Sequence, residues 1–237
     1  MKPTLVASRP NAQPCVDCTV RPFAICAALE HDELRDLEHL GHHVHFRPNE
    51  AVFVQEEMVT SYYNLLEGVM RLYKLLPDGR RQIVGFALPG DFLGTTAAER
   101  HSFSADAVGP AVVCRFSRTS FARFVEHRPN VLRRINEFAT GELDQARDQM
   151  VLLGRRSAEG KVATFLIGWR DRLARLGQVN GAVPLPMGRQ DIADYLGLTV
   201  ETVSRTLTKF ERDGVIEILP GAIRLKSPAR AEAIAAA

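Results

Sequence analysis

The stretch MGRQDIADYLGLTVETVSRTLTKFERDGVIEI, residues 187–218, holds two short amphipathic segments set almost end to end. Ile192, Ala193, Tyr195 and Leu196 give the first an apolar face at helical spacing. Leu196, Gly197 and Leu198 then supply a tight turn, with a glycine where positive φ is required. Thr199 is the predicted N-cap of a second helix, with Glu201 and Thr202 in its first turn. Val203, Leu207 and Phe210 share one face of that helix, while Glu201, Ser204, Arg205 and Thr208 point elsewhere. This is the layout of a helix-turn-helix, whose second helix lies in the major groove and reads bases with its N-terminal half. Beyond Gly214, VIEIL (215–219) and AIRLK (222–226) alternate around Pro220 and Gly221, a hairpin placed to form a wing.

Charge does not make the DNA argument. Residues 189–213 hold four basic and five acidic side chains, and the 237-residue chain carries a net charge of only +2. Side-chain identity makes it instead. Arg205 can take a guanine through two hydrogen bonds, and Glu201 can accept from a cytosine amino group.

Working outward, Leu143, Ala146, Met150 and Leu153 recur at steps of three, four and three, the a/d signature of a helix seeking a partner helix. Asp144, Arg147 and Asp148 flank that stripe and would keep a pairing seam marginal. A second amphipathic helix carries Val162, Phe165, Leu166, Trp169, Leu173 and Leu176 and ends near Gly177. Between about His45 and Phe116 the pattern is different. EAVFVQEE, YYNLLEGVMRLYKLL, RRQIVGFALPGDFLG, SFSADAV and AVVCRFSR are apolar or aromatic runs divided by the turn signals RPNE, PDG, PGD and VGP. They predict an antiparallel roll of jelly-roll type. Leu34, Leu37 and Leu40 predict a short helix just before it.

At 46% hydrophobic and 24% charged the composition is ordinary globular. No apolar run approaches the roughly eighteen residues that cross a bilayer. MKPTLVASRPNAQP (1–14) lacks the apolar centre of a secretory signal. A cytoplasmic protein without membrane contact is the expectation, in a compartment where disulfides are rare. P-loop, G-x-S-x-G and H-E-x-x-H motifs are missing, so an enzyme is not expected.

Three of the four cysteines, Cys15, Cys18 and Cys26, crowd an irregular N-terminal arm, and the fourth, Cys114, lies in a strand-like run. Four thiolates suit zinc or iron–sulfur equally in ligand type. A buried strand cysteine also serves as a small hydrophobe. Spacing alone leaves these readings open. His39, His42, His43 and His45 do not align on one helix face and read as surface or packing residues.

The chain resembles the Crp/Fnr transcription regulators across almost its whole length: cysteine arm, β-roll with PGDFLG, long helix, then DIADYLGLTVETVSR. The run Val200, Glu201, Thr202, Val203, Ser204, Arg205 looks like the Fnr branch, with its E-x-x-S-R arrangement, and not like the R-E-T-V-G-R of the cyclic-AMP receptor branch. That resemblance implies an α+β fold: an N-terminal antiparallel β-roll, a long dimerisation helix and a C-terminal winged helix-turn-helix. Its segments would be a sensory arm at 1–30, the roll at 31–130, the dimerisation helix at 131–155 and the DNA-binding domain at 156–237. It implies a homodimer paired through Leu143, Ala146, Met150 and Leu153, bound to a double-stranded TTGAT-type palindrome. Thr199, Glu201, Thr202, Ser204 and Arg205 would face the DNA. An activator of low-oxygen metabolism also needs RNA polymerase, for which the LLPDGRRQ turn (75–82) is a candidate surface.

By the same resemblance, Cys15, Cys18, Cys26 and Cys114 would hold an oxygen-labile [4Fe–4S] cluster. The seven residues between Cys18 and Cys26 depart from the enteric spacing and look like rhizobial and photosynthetic relatives. The nucleotide-binding branch carries an Arg directly before a Ser-Ala pair. Here Ser104 and Ala105 follow Phe103, so the roll is expected to act as a scaffold without a nucleotide. A cluster-free regulator, thiol-sensing or constitutive, and a cyclic-nucleotide-responsive one are the alternatives.

Overall fold

The structure, a computed structural model, describes residues 14–94, 98–155 and 157–236. Most of the reading of MKPTLVASRPNAQP, residues 1–13, lies outside the described residues. Contacts divide the chain into two units: the first runs to Leu143 and the second begins at Asp144, with Arg81–Ile83 grouped with the second.

In the first unit the described part of the arm, from residue 14, holds the 3-10 turns Cys15–Asp17, Arg21–Phe23 and Ile25–Ala28. Helix α1 (His31–Leu40) follows. It starts on a capping box in which Glu33 Oε2 accepts from the Glu30 backbone N–H at 3.0 Å, and it buries Leu34 and Leu37. Among the described residues eight strands come next: β1 (Gly41–Phe46), β2 (Ala51–Phe53), β3 (Ser61–Glu67), β4 (Met70–Leu75), β5 (Arg81–Ala87), β6 (Phe92–Leu93), β7 (Ser104–Ala107) and β8 (Ala111–Ser117). They make two four-stranded sheets, ordered β1-β8-β3-β6 and β2-β7-β4-β5, with every pair described antiparallel. The roll thus begins at Gly41, ahead of the boundary read from the sequence, because GHHVHF pairs as an edge strand despite its histidines.

Period-two alternation decides what each face does. On β8, Ala111 and Val113 join the roll's apolar core with Phe46, Phe53, Leu65 and Met70, whereas Cys114 and Phe116 belong to a second cluster. On β3, Tyr63 and Leu65 face the roll core, and Tyr62 and Leu66 face the second cluster. That second cluster is closed by the arm (Ala24, Ile25, Cys26, Leu29), by α1, by α2 (Arg118–Glu126, through Phe121 and Phe124) and by Val131 of α3 (Pro129–Arg155). The arm is therefore packed. Ala24, Ile25 and Leu29 are 0–4% exposed, and Asn130 Nδ2 on α3 donates to the Ala28 carbonyl at 2.6 Å. Gly90 of the PGD turn has φ +97, and a Cβ there would stand 2.7 Å from Phe23 Cβ, so this turn needs glycine to admit the arm.

The second unit holds the end of α3, α4 (Ala158–Arg175), the short strand β9 (Val183–Pro184), α5 (Arg189–Leu196), α6 (Val200–Arg212), the hairpin β10 (Ile216–Leu219) and β11 (Ala222–Leu225), and α7 (Pro228–Ala236). The wing is a three-stranded sheet ordered β10-β11-β9, turned at Gly221 with φ +67. Trp169 on α4 anchors it by donating Nε1–H to the Pro184 carbonyl at 2.7 Å. No helix among the described residues is long and apolar enough to cross a membrane.

Candidate functional site

The reading head is built by local rules. Gly197 ends α5 in the left-handed region at φ 62, where any Cβ is strained. Thr199 caps α6, its hydroxyl accepting from the Thr202 backbone N–H at 3.2 Å. Val203, Thr206, Leu207 and Phe210 are buried, which turns Glu201 and Arg205 fully outward and leaves Thr202 and Ser204 half-exposed. The Glu201 carboxyl titrates below its ordinary range, held there by hydrogen bonds from its own backbone N–H and from Thr199. It is therefore a fixed acceptor at neutral pH. Arg205 Nη2 reaches Thr202 Oγ1 at 3.4 Å, a weak contact that leaves the guanidinium free to fork onto a guanine edge. In gel-shift titrations at fixed salt, Arg205→Ala is expected to cut operator affinity about tenfold or more and to blunt discrimination at one base pair. A uniform loss on specific and non-specific DNA would reassign Arg205 to the phosphates.

Helix α3 presents two apolar stripes. Val131, Ile135 and Phe138 pack inward on the arm's cluster. Leu143 and Met150 lie outward, 49% and 64% exposed, with Ala146 exposed between them. Leu132, 51% exposed, lies on the same heptad track, a residue the shorter stripe read from the sequence did not include. Leu153 is half-buried, its Cδ2 3.4 Å from where a Cβ on Gly197 would stand, and Gln149 Nε2 donates to the Tyr195 carbonyl at 2.7 Å. The last turns of α3 thus grip the reading head's first helix. Asp144 and Arg147 pair with each other at 2.9 Å on the exposed surface.

Cys114, distant in sequence, meets the arm's Cys15 and Cys26 on the outer face of the β1-β8-β3-β6 sheet, with Cys18 nearby. Cys26 and Cys114 are buried, 6% and 8% exposed, and Cys15 packs on the same cluster. Cys18 lies near enough to act on each of the other three thiols. Burial raises the Cys15 pKa to about 11, with Glu38 and then Cys18 adding to it. Burial raises Cys26 to about 12, with Cys18 and then Cys15 contributing. Cys114 is pushed higher still, again by burial first and then by Cys15, Cys26 and Cys18. All four are free thiols.

Two residues shape this pocket that cysteine spacing could not reveal. Gly41 pairs with Phe116 in the strand register, and a Cβ on it would stand 2.7 Å from Cys114 Sγ. Asn64 pairs with Cys114 across β3 and β8, is 3% exposed, and directs Nδ2 at Cys26 Sγ from 4.0 Å. Its Oδ1 has no hydrogen-bond partner among the described residues. His43 lies opposite Cys114 on β1, half-buried, with burial lowering its pKa, whereas His39, His42 and His45 are exposed.

The donor set fits a thiolate-bound metal centre. Two buried thiols, Cys26 and Cys114, with two half-buried ones, Cys15 and Cys18, beside them are an arrangement a positive core relieves, since metal binding expels the thiol protons. The sulfurs are neighbours here and not a closed cage: among the described residues no group of three or more His, Cys, Asp or Glu side chains stands in metal-holding geometry.

The roll interior offers less to a nucleotide. Ser104 is fully buried and accepts from the Gln55 backbone N–H at 2.9 Å, while Ala105 and Ala107 line the apolar core. Arg71, 7% exposed, is engaged by Asp106 at 2.7 Å and by Asn49 at 2.7 Å. Its charge is met internally.

A β-roll followed along the chain by a long helix and a winged helix-turn-helix is the make-up of a DNA-binding regulator. The chain belongs to the Crp/Fnr family of transcription regulators, and it is not an enzyme. Residues 185–216 match the bacterial regulatory proteins, crp family, and residues 43–128 match the cyclic nucleotide-binding domain. It is 63% identical over its whole length, and the whole of the relative's, to the nitrogen fixation regulation protein FixK of Bradyrhizobium diazoefficiens. It is 60% identical to the transcriptional activatory protein AadR of Rhodopseudomonas palustris over 93% of this chain and 92% of that one. With the transcriptional activator FnrL of Cereibacter sphaeroides it shares 36% over 86% and 84%. The solved structure of FixK2 from Bradyrhizobium japonicum superposes with a TM-score of 0.78 at 38% identity, covering 83% of this chain and 98% of that one. These relatives agree with the Fnr branch read from E-x-x-S-R. Members of the family bind DNA as homodimers.

Proposed function

We propose that the protein is an oxygen-responsive transcription activator that binds TTGAT-type inverted repeats as a homodimer, with Cys15, Cys18, Cys26 and Cys114 as ligands of a [4Fe–4S] cluster. The observation that supports the reading is the packing of Cys15, Cys26 and Cys114 in one cluster on the sheet face that the arm and α3 also cover, with Cys18 close enough to act on all three. When bound, such a cluster supplies a thiolate-held iron centre whose survival depends on oxygen and on the exposure and hydrogen bonding of its sulfurs.

The chain's own residues do the rest. Cys15, Cys18 and Cys26 tie three points of the arm to Cys114 on β8, so the arm's hold on Val131 and Asn130 follows the state of the thiols. Helix α3 carries that state along its length to Leu143, Ala146, Met150 and Leu153, the dimer seam. Paired seams set two α6 helices on a palindrome, with Glu201, Ser204 and Arg205 toward the bases and Thr199 and Thr202 shaping the helix entry. A bias of about 1.4 kcal/mol on the arm changes a small active fraction roughly tenfold. In this reading residues 1–30 form the sensory arm, 31–130 the roll, 131–155 the dimerisation helix and 156–237 the reading head of a cytoplasmic regulator. Leu75 and Leu76, 55% and 38% exposed at the LLPDGRRQ turn, are the surface offered to RNA polymerase.

A second reading, a regulator without a cluster, is favoured by one observation. Ala24, Ile25 and Leu29 already dock the arm by apolar burial, without help from sulfur.

Anaerobic purification, with iron, sulfide and zinc assays and operator binding measured before and after air, separates the two. A brown protein with about four irons per chain, losing colour and DNA affinity in air, is expected. A colourless protein with equal affinity in air supports the second reading. One zinc per chain leaves the DNA-binding half standing and makes the thiols a structural clip.

A further inference from the structure

Asn64 is a buried polar residue in an otherwise apolar setting, and the fold itself assigns it no partner set. Its neighbours on β3 sort cleanly: Tyr63 and Leu65 enter the roll core, and Tyr62 and Leu66 pack on the arm's cluster. An apolar residue at position 64 would satisfy that outer face equally well. Instead an amide sits there 3% exposed, with Oδ1 unpartnered among the described residues and Nδ2 4.0 Å from Cys26 Sγ. An orphaned buried acceptor costs stability, so the amide is retained against the interest of the fold. Its one described side-chain contact is a sulfur, and its cross-strand partner is Cys114. The side chain therefore stands between two thiols contributed by separate elements.

We propose that Asn64 is a positioning residue of the thiol site, donating an N–H···S hydrogen bond to Cys26 in its thiolate form and so setting how long the bound centre survives in air. This rests on the cluster reading above. A sulfur that accepts a hydrogen bond gives up electron density, which makes a thiolate-bound iron centre harder to oxidise. At 4.0 Å the contact is long for a neutral thiol. A thiolate attracts the N–H dipole more strongly, so the bond tightens when the sulfur is charged.

The test compares wild type with Asn64→Leu, which keeps volume and removes the donor, after anaerobic loading with iron and sulfide. Iron and sulfide content, resonance Raman Fe–S bands in H2O and D2O, and the rate of visible bleaching in air are recorded for both. The variant is expected to take up the same iron, to lose a D2O-dependent shift that the wild type shows, and to bleach about tenfold faster. The apo-variant is expected to melt no lower than the apo-wild type, because an orphaned acceptor has been removed. A loaded variant with unchanged bleaching and an unchanged isotope response overturns the proposal and leaves the cluster reading intact. Wild type that takes up no iron overturns both. Should the leucine variant fail to fold, Asn64→Ala, which only shortens the side chain, is read in the same way.

Discussion

Glutamate at both Leu143 and Met150 is expected to leave the protein monomeric and to weaken binding to a full palindrome by about 10²- to 10⁴-fold, the contribution of linking two reading heads. The two side chains are 49% and 64% exposed on the single chain, and no described element of that chain covers them. Burying a side chain of this size contributes about 1.5–3 kcal/mol, and a twofold seam buries four of them, roughly 6–12 kcal/mol in total. A micromolar dimer needs about 8 kcal/mol, so the pair decides whether a dimer forms at all. The substitution also sets new carboxylates on the same helix as Asp144 and Asp148, adding negative charge to any seam formed there. Sedimentation velocity and gel shifts on full-site and half-site DNA check this. Half-site affinity should be nearly unchanged, because α6 is untouched. A variant that stays dimeric would move the seam elsewhere, and Leu132 and Val151, 51% and 58% exposed, would be the next residues to test.

The second large effect is steric. Gly41→Ala is expected to reduce iron loading to less than about half that of wild type while leaving the protein folded, since overpacking by a single methyl costs only about 1–3 kcal/mol. The added Cβ would stand 2.7 Å from Cys114 Sγ and 2.9 Å from Phe116 Cε1, both inside contact distance. Phe116 is 2% exposed and Cys114 8%, so neither has solvent to move into. Relief must come from displacing the sulfur, and a displaced ligand is a poor one. Gly41 lies in ordinary extended backbone, so no loss of conformational freedom confuses the result. Gly109→Ala, where a Cβ meets nothing within 4 Å, is the control and should load as wild type does. Iron and sulfide assays with circular dichroism on the same samples decide it, and full loading of the Gly41 variant would show that the sulfur has room to spare.

The parts legible in the sequence are those ruled by neighbours in the chain. Thr199 as a cap, Gly197 in the left-handed region and the outward aim of Glu201 and Arg205 follow from helical periodicity and capping. So does the outward stripe of α3, because a surface helix shows its period directly. The edge strand β1 was hidden by its three histidines, which blur the apolar alternation that marks a strand. The arm read as irregular because 3-10 turns have no long period, and only contact with Phe121, Phe124 and Val131 explains why Ala24 and Ile25 are buried.

The sequence by itself therefore determined the reading head, the class of regulator and the set of thiols. It could name Cys114 as the fourth thiol of the proposed site through resemblance, but not what surrounds it. That was decided by tertiary structure. The antiparallel registers of β1 and β3 against β8 bring Gly41, His43 and Asn64 around Cys114, and a one-residue slip would turn every one of those side chains to the other face. Register is a long-range property, set by packing between segments distant along the chain, and no local pattern in YYNLLE or GHHVHF encodes it.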